Sequence, residues 1–333
     1  MDISLLPRFL QVELTYACNS KCSFCYNPTH LGKLDEDVIF RVLREVNSYK
    51  LPHVQLIGGE VSILPNLPKY LQTLSDTRWR SVVTNGRRYR EDIQGLVDEI
   101  YLSLHGNSEV HEELTSEPGS FLDIESSIKK YVDWGIDVNS DTVLTKYNFD
   151  QIYSLSKYAQ DIGMKRLFLN IFQPEGIGSA RRDFSPTFYQ IKSAIDQMLE
   201  AKEVLGFDVI FGTSTPLCLD KRLLENDLNF KCGVGDWFAS INPQGEFRIC
   251  NHSKKSYGNI LDVPLNKIWH SKSIDDSYRN VDLTGTLCEG CPAFKLCRGG
   301  CRISTDGTYR TDPIVVRDSL LVLSSSELKS LLQ

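Results

Sequence analysis

The segment Cys18-Asn19-Ser20-Lys21-Cys22-Ser23-Phe24-Cys25 brings three cysteines together with the spacing C-x3-C-x2-C. It follows directly on the apolar run at residues 10–14, which predicts a β-strand. Three thiols in so short a loop indicate metal ligands, because disulfides are rare in the reducing compartment where a chain without an export signal stays. A four-iron cluster that is held by three cysteines keeps one iron open. The sequence therefore predicts a cluster-binding loop at the end of a strand.

Two other interpretations of the loop are open, a structural zinc site and three unrelated cysteines. A structural zinc ion takes four protein ligands, which three cysteines alone do not supply. The position of the loop directly after a strand favours the cluster.

Predicted strands and helices alternate from residue 9 to residue 172. Apolar runs predict strands at 10–14, 54–57, 81–84, 101–104, 138–144 and 167–172, and helical spacing predicts helices at 35–49, 67–75, 121–134 and 149–162. Six βα units imply a parallel sheet in an α/β fold, here a partial (β/α)6 barrel similar to a TIM barrel, with its site at the carboxyl ends of the strands. Gly58-Gly59-Glu60 and Thr84-Asn85-Gly86 follow the second and third strands there.

Composition excludes several classes of function. The chain has 333 residues, 41% of them apolar, and a net charge of −6 without a basic run, so nucleic acid is not an expected partner. No apolar stretch approaches the roughly 18 to 20 residues that a membrane span needs, and residues 1–8 do not resemble a signal peptide. We therefore expect a cytoplasmic protein that does not enter a membrane.

The ten cysteines divide the chain into two modules. None lies between Cys25 and Cys218, and seven lie from Cys218 to Cys301. A hairpin is predicted from strands at 238–241 and 246–249, and so small a module is expected to be held together by metal. We expect a barrel at 1–180, a linker helix at 181–206 after a Gly-rich passage at 175–179, the cysteine-rich domain at 207–315 and a C-terminal helix at 316–333.

The cysteine loop resembles the signature of the radical S-adenosylmethionine (SAM) superfamily, with Phe24 in its aromatic place, and the resemblance covers about residues 8–180. It implies that a [4Fe-4S] cluster binds SAM and that reductive cleavage yields a 5′-deoxyadenosyl radical. The further residues that the resemblance assigns to cofactor binding are Gly58, Gly59 and Glu60 at the SAM amino group, Ser103 at the ribose and, more weakly, Asn139.

Two positions depart from this family. His105 stands where an Asp is common, and we expect it to be structural or part of a substrate pocket rather than a metal ligand. Thr115 stands where an Arg often binds the SAM carboxylate. The residue that binds this carboxylate is therefore left unassigned.

The distal cysteines are similar to the SPASM domain, an auxiliary iron–sulfur extension of radical SAM enzymes, and a zinc module is the alternative. The resemblance implies two auxiliary [4Fe-4S] clusters. The first takes Cys218, Cys232, Cys250 and Cys301, and the second takes Cys288, Cys291 and Cys297. The second lacks a cysteine where the family has one, because Ile314 and Val315 follow Asp312-Pro313. Asp306, Asp312 and His252 are the candidates to complete it.

The resemblance implies a peptide maturase that abstracts hydrogen from a ribosomally made precursor peptide and leaves a crosslink, a thioether, an excised fragment or an oxidised residue. Its expected partners are the precursor, a separate leader-binding protein and a reductant of the flavodoxin or ferredoxin type. A sulfatase-maturing or small-alcohol-oxidising dehydrogenase is one alternative, and a non-catalytic electron carrier is another.

Overall fold

The structure is a computed structural model that describes residues 5–32, 35–229, 231–280, 282–303, 323–324, 327–329 and 332. The expected C-terminal helix at 316–333, and with it Asp306, Asp312, Ile314 and Val315, lies largely or wholly outside the described residues. Within the part that is described, no helix has the length and apolar character to cross a membrane.

The six predicted strands are confirmed, with ends within two residues of the expected ones. They are β1 (Phe9–Glu13), β2 (His53–Ile57), β3 (Trp79–Thr84), β4 (Glu99–Leu102), β5 (Asp137–Leu144) and β6 (Arg166–Ile171). Each pairs in parallel with the next along the chain. All six carboxyl ends therefore lie along one edge of the sheet.

Helices cover the outer face of this sheet. They are α1 (Glu36–Ser48), α2 (Leu67–Thr73), α3 (Ser108–Thr115), α4 (Ser120–Val132), α5 (Ile152–Asp161) and α6 (Phe188–Glu200). Helix α1 begins where the Asp35 side chain accepts a hydrogen bond from the Val38 N–H, and it buries Ile39, Val42, Leu43 and Val46 at helical spacing. Helix α3 was not predicted, because eight residues carry too few apolar positions to show a period.

The sheet is wider than the sequence predicts. A seventh parallel strand, β7 (Asp208–Phe211), pairs with β6. At the opposite edge, β8 (Phe238–Ile241) pairs in parallel with β1, and β9 (Glu246–Arg248) and β10 (Ser256–Asn259) continue it in antiparallel order. The expected boundary at residue 207 therefore does not separate two bodies, because strands beyond it extend both edges of one ten-stranded sheet.

The segment expected as a linker helix also belongs to this body. Helix α6 buries Ile191, Ala194, Ile195 and Met198 in the common core, and Gln197 Nε2 donates to the Phe149 carbonyl at 2.9 Å. A wider turn at Ala201–Leu205 leads from the helix into β7.

Shorter elements complete the described chain. They are α7 (Arg222–Glu225), α8 (Leu265–Trp269), α9 (Lys272–Ile274), α10 (Phe294–Cys297), the 3₁₀ turns Val61–Ile63, Glu91–Ile93, Gly176–Ala180, Arg182–Phe184 and Leu217–Leu219, and a wide turn at Asp275–Arg279.

The inner face of the sheet is polar and accessible. Along β5 and β6, the residues that point outward are buried against the helices, whereas Asp141, Phe168 and Asn170 on the inner face are only partly buried. Tyr101 on β4 has the same intermediate exposure. A closed barrel fills its interior with packed apolar side chains. Here the interior is a cleft that can admit another molecule.

Candidate active site

The three thiols of the cysteine loop converge at the carboxyl end of β1. Burial raises the pKa of Cys18 to about 12, and it raises the pKa of Cys22 well above its usual value, with a further contribution from the neighbouring Cys25 and Cys18 thiolates. The Cys25 N–H donates to the Cys22 carbonyl at 3.3 Å, which closes the loop. Buried thiols stay protonated until a metal displaces the protons, so this group has the chemistry of an iron ligand set.

Gly58 and Gly59 hold the cysteine loop by close backbone contact. The Gly59 N–H donates to the Thr15 carbonyl at 2.6 Å. A Cβ at Gly59 would collide with the carbonyl oxygens of Tyr16 and Ala17, so only glycine allows this approach. Their contact with SAM stays a prediction.

The Glu60 side chain is hydrogen-bonded within the protein, and the contact of its turn with SAM stays a prediction. Its buried carboxylate accepts hydrogen bonds from the Ser62 N–H at 2.8 Å, the Thr84 hydroxyl at 2.5 Å and the Asn85 N–H at 2.7 Å. The carboxylate is occupied by these donors because the turn after β3 lies directly beside the turn after β2. Glu60 therefore ties the two turns together, and the Asn85 Nδ2 in turn donates to Asn19 Oδ1 at 2.8 Å in the cysteine loop.

Phe24 and His105 pack together behind the loop. Their ring centroids are 4.8 Å apart in an edge-to-face arrangement. His105 Nδ1 accepts from the Val143 N–H at 3.2 Å, and burial lowers the pKa of His105 well below its usual value. A buried neutral imidazole that is held in this way fits the structural role, which is one of the two roles expected for His105. The Thr115 hydroxyl is also hydrogen-bonded within the protein, since it donates to the His111 carbonyl at 2.8 Å.

The structure brings Ser103 to the carboxyl edge but not Asn139. Ser103 follows β4, and its N–H donates to the Thr84 carbonyl at 3.1 Å. Asn139 is the third residue of β5, at the amino end of the sheet, where its Nδ2 donates to Glu99 Oε1 at 2.5 Å. Asn139 therefore lies below the edge that carries the cysteine loop, and this position does not favour its expected contact with the cofactor.

The Gly-rich passage after β6 is a site element that the sequence analysis missed. The Gly178 N–H donates to the Cys25 carbonyl at 2.8 Å, and the Ile177 N–H donates to the Asn27 carbonyl at 3.0 Å. Gly176 has a φ of +56°, and a Cβ there would collide with the Tyr26 carbonyl. Its glycines therefore allow the passage to lie directly on the cysteine loop.

Arg87 is a second missed residue. Its guanidinium donates to the Asn19 carbonyl and forms an ion pair with Glu117 at 3.1 Å. The charge of Glu117 also contributes to the raised pKa of Cys22, so this pair lies beside the cysteine loop. The signal in the sequence was a basic residue directly after the Thr84-Asn85-Gly86 turn.

Tyr26 joins the cysteine loop to the second cysteine module. Its ring stacks on His252 with centroids 4.5 Å apart, and its hydroxyl is hydrogen-bonded to the Asn251 side chain. The Cys250 thiol donates to Asn251 Oδ1 at 3.3 Å. A continuous series of contacts therefore runs from Cys25 to Cys250.

Asp141 is an acid on the inner face of the sheet. Burial raises its pKa to about 6, although a hydrogen bond that Asn170 Nδ2 donates to Oδ1 opposes this rise. Its charge also raises the pKa of Tyr26 and of Tyr101, after larger effects of burial, so the three side chains share one region of the cleft. A carboxyl group with such a pKa exchanges protons near neutral pH.

The distal cysteines form two groups that differ from the expected ones. Burial raises the pKa of Cys250, and the next contributions from other thiols come from Cys301 and Cys232. Burial also raises the pKa of Cys218 to about 12, but here the contributing thiols are Cys297, Cys288 and Cys291. The Cys218 thiol therefore lies beside the thiols of the second group, whereas the resemblance assigns it to the first cluster. Likewise, His252 lies beside Cys250 and the first group, which is contrary to its candidacy for the second.

Within the described ranges, no three His, Cys, Asp or Glu side chains are arranged to hold a single metal ion.

Two family models match separate parts of the chain. Residues 12–159 match the model of the Radical SAM superfamily, and residues 232–292 match SPASM, an iron–sulfur cluster-binding domain. The fold and the two cysteine modules thus define an iron–sulfur enzyme. The chain belongs to the radical SAM superfamily, within the group whose members carry a SPASM domain.

Relatives of known name extend along nearly the whole chain. A PqqA peptide cyclase of Granulibacter bethesdensis is 24% identical over 318 residues, which cover 89% of this chain and 82% of the relative. An AdoMet-dependent heme synthase of Methanosarcina barkeri is also 24% identical, with 89% and 91% covered. The crystal structure of Streptococcus suis SuiB bound to precursor peptide SuiA has a TM-score of 0.77 at 16% identity, over 94% of this chain and 76% of SuiB. At this identity the likeness to SuiB shows the fold alone.

Proposed function

We propose that this chain uses SAM to modify a residue within a peptide that binds in the cleft of the sheet. The observation that carries the proposal is the similarity to PqqA peptide cyclases, which spans both domains. The accessible inner face agrees with it, because a peptide segment needs room beneath the cysteine loop.

Separate residues of this chain would bind the radical cluster and position its loop. Cys18, Cys22 and Cys25 would hold the radical cluster, and Gly59 would hold their loop at the edge of the sheet. When bound, the cluster and SAM would supply a hydrogen-abstracting radical, and the auxiliary clusters would supply an electron acceptor. The hydrogen of the substrate C–H bond would leave as an atom, and closing a new bond from that carbon to a second X–H group of the peptide would release the proton of that group and one electron.

Asp141 is suited to receive this proton. Asn170 occupies Oδ1, so the proton would be accepted at Oδ2, and the raised pKa makes the carboxylate a better base than an exposed Asp. Tyr101 and Phe168 lie on the same face and would pack against the substrate side chain.

Two protein partners belong to this proposal. A flavodoxin- or ferredoxin-type protein would reduce the radical cluster, and a separate leader-binding protein would deliver the precursor. Each would be recognised by a rise in the rate of modification when it is added to the purified enzyme.

The test is an anaerobic reaction of the reconstituted enzyme with SAM, dithionite and a candidate precursor peptide. We expect 5′-deoxyadenosine to form together with a peptide whose mass has changed, and tandem mass spectrometry would locate the altered residue. The Cys22→Ala enzyme is the control and should leave the peptide unchanged. Formation of 5′-deoxyadenosine with an unaltered peptide, whether or not a leader-binding protein is present, would count against a peptide substrate.

A further inference from the structure

We infer that Cys218 is the fourth ligand of the second auxiliary cluster, together with Cys288, Cys291 and Cys297, and that the first auxiliary cluster is held by only three cysteines, Cys232, Cys250 and Cys301. This inference concerns the cluster ligands alone and does not depend on the identity of the substrate.

Backbone contacts place Cys218 beside the second group. Cys218 is the middle residue of the Leu217–Leu219 turn, and the Leu217 N–H is hydrogen-bonded to the Cys297 thiol. The Gly299 N–H also donates to Cys297 Sγ, at 3.3 Å.

The other thiols of this group lie in the same small region. A Cβ added at Gly299 would lie 3.4 Å from Cys288 Sγ, so Cys288 adjoins the turn that follows Cys297. The Cys291 N–H donates to the Cys288 carbonyl at 3.1 Å, which keeps these two cysteines on one turn. Four thiols are therefore gathered around one space.

The first group is gathered elsewhere, on the hairpin that pairs with β1. Cys250 follows β9 directly, and the thiols that act on it are those of Cys301 and Cys232.

The course of the chain explains why Cys218 takes this place. Residues 302–333 contain no cysteine, so the distal part of the given sequence offers the seven thiols from Cys218 to Cys301. The chain nevertheless returns to the turn that holds Cys218, since the Leu323 N–H donates to the Cys218 carbonyl at 2.8 Å. The turn that holds Cys218 is thus also in contact with the described residue Leu323.

The assignment accounts for all ten cysteines. Three lie in the radical loop, three in the first auxiliary group and four in the second. The second cluster is then fully ligated by thiolate, and one iron of the first takes a ligand other than cysteine. The first is the cluster whose ligand Cys250 is linked to the radical loop through Asn251 and Tyr26.

The experiment compares two double variants of the full-length enzyme after anaerobic reconstitution. We expect Cys218→Ala/Cys291→Ala to lose one cluster, about four of about twelve irons, because both changes fall on the same cluster. Cys218→Ala/Cys250→Ala should lose about eight irons, because its changes fall on two clusters. The opposite order of iron contents would overturn the inference.

Electron paramagnetic resonance of the reduced enzyme supplies a second readout that survives if a double variant folds poorly. Cys218→Ser should change the same auxiliary signal as Cys297→Ser and leave unchanged the signal that Cys232→Ser alters. A common change in Cys218→Ser and Cys232→Ser would refute the grouping. The radical-cluster signal is the internal control in every variant.

Discussion

Glu13 and Arg248 form a buried ion pair between β1 and β9. The Glu13 side chain is 0% exposed and that of Arg248 is 10% exposed. Arg248 Nη1 also donates to the carbonyls of Asn251 at 3.2 Å and Ser253 at 3.3 Å. The pair therefore connects the strand that leads into the radical loop with the turn that follows Cys250.

We expect Glu13→Gln to destabilise the protein by about 3–5 kcal/mol, because it leaves the Arg248 charge buried without a counter-charge. Denaturant unfolding measures the loss, and Glu13→Leu/Arg248→Met should recover part of it. Asp161→Asn is the matched control, since it removes a solvent-exposed ion pair with Lys157, and such pairs contribute little to stability. An equal loss in Glu13→Gln and Asp161→Asn would show that the buried pair has no special role.

Gly59→Ala should abolish SAM cleavage and lower the iron content by about a third, because the added Cβ displaces the loop that holds one of three clusters. Gly95→Ala is the control. Gly95 has a positive φ, +76°, but no atom lies within 4 Å of a Cβ placed there. We expect this control to lose about 1–2 kcal/mol of stability and no iron. Full cleavage activity in Gly59→Ala would contradict the proposed steric role of this glycine.

Asp141 should make the free energy of unfolding depend on pH. Burial raises its pKa from 3.8 to about 6 in the folded protein, so the folded state retains the proton to a higher pH than the unfolded state does. The contribution of protonated Asp141 to the free energy of unfolding is therefore fully present below about pH 4, and it is lost as the pH rises through about 6. Asp141→Asn should flatten this part of the profile in thermal unfolding, whereas the exposed Asp150→Asn should keep the parent slope. Parallel profiles for the parent and Asp141→Asn would disprove the shift.

Cys22→Ala should abolish SAM cleavage while both auxiliary clusters remain, because the radical loop and the distal cysteines are separate ligand sets. Iron should fall by about a third, and the auxiliary signals in electron paramagnetic resonance should persist. Cys288→Ala is the comparison, since it should alter an auxiliary signal and spare the radical cluster. Persistent cleavage at the parent rate in Cys22→Ala would show that the radical site lies elsewhere.

The strands were predictable because each is a short apolar run, and the cysteine loop was predictable because its spacing is specific. Asn139 was misplaced because a strand of eight residues alternates its faces along its whole length, and alternation does not say which residues reach the carboxyl edge. The glycines at 176 and 178 read as a linker because flexible and closely packed segments favour the same residue.

The grouping of the distal cysteines was beyond sequence reasoning for a different reason. Cys218 lies closer in sequence to Cys232 than to Cys288, yet its neighbours in space are the later thiols. Order along the chain does not fix contacts between turns that are far apart in sequence. Likewise, residues 208–211, which form β7, were placed in the second domain because the sequence of neither strand indicates that β7 pairs with β6.

Strand β1 is hydrogen-bonded on both sides, to β2 within the parallel sheet and to β8 at the start of the hairpin. The two iron-binding regions therefore cannot move apart by a hinge motion unless the backbone hydrogen bonds along β1 break. Because electron tunnelling slows steeply with separation, a spacing set by this ladder would keep the transfer rate the same from one turnover to the next. An opening motion that admits the substrate or releases the product should then occur on the far side of the cleft, around β6 and β7. Backbone amide hydrogen exchange should therefore be faster there than at β1.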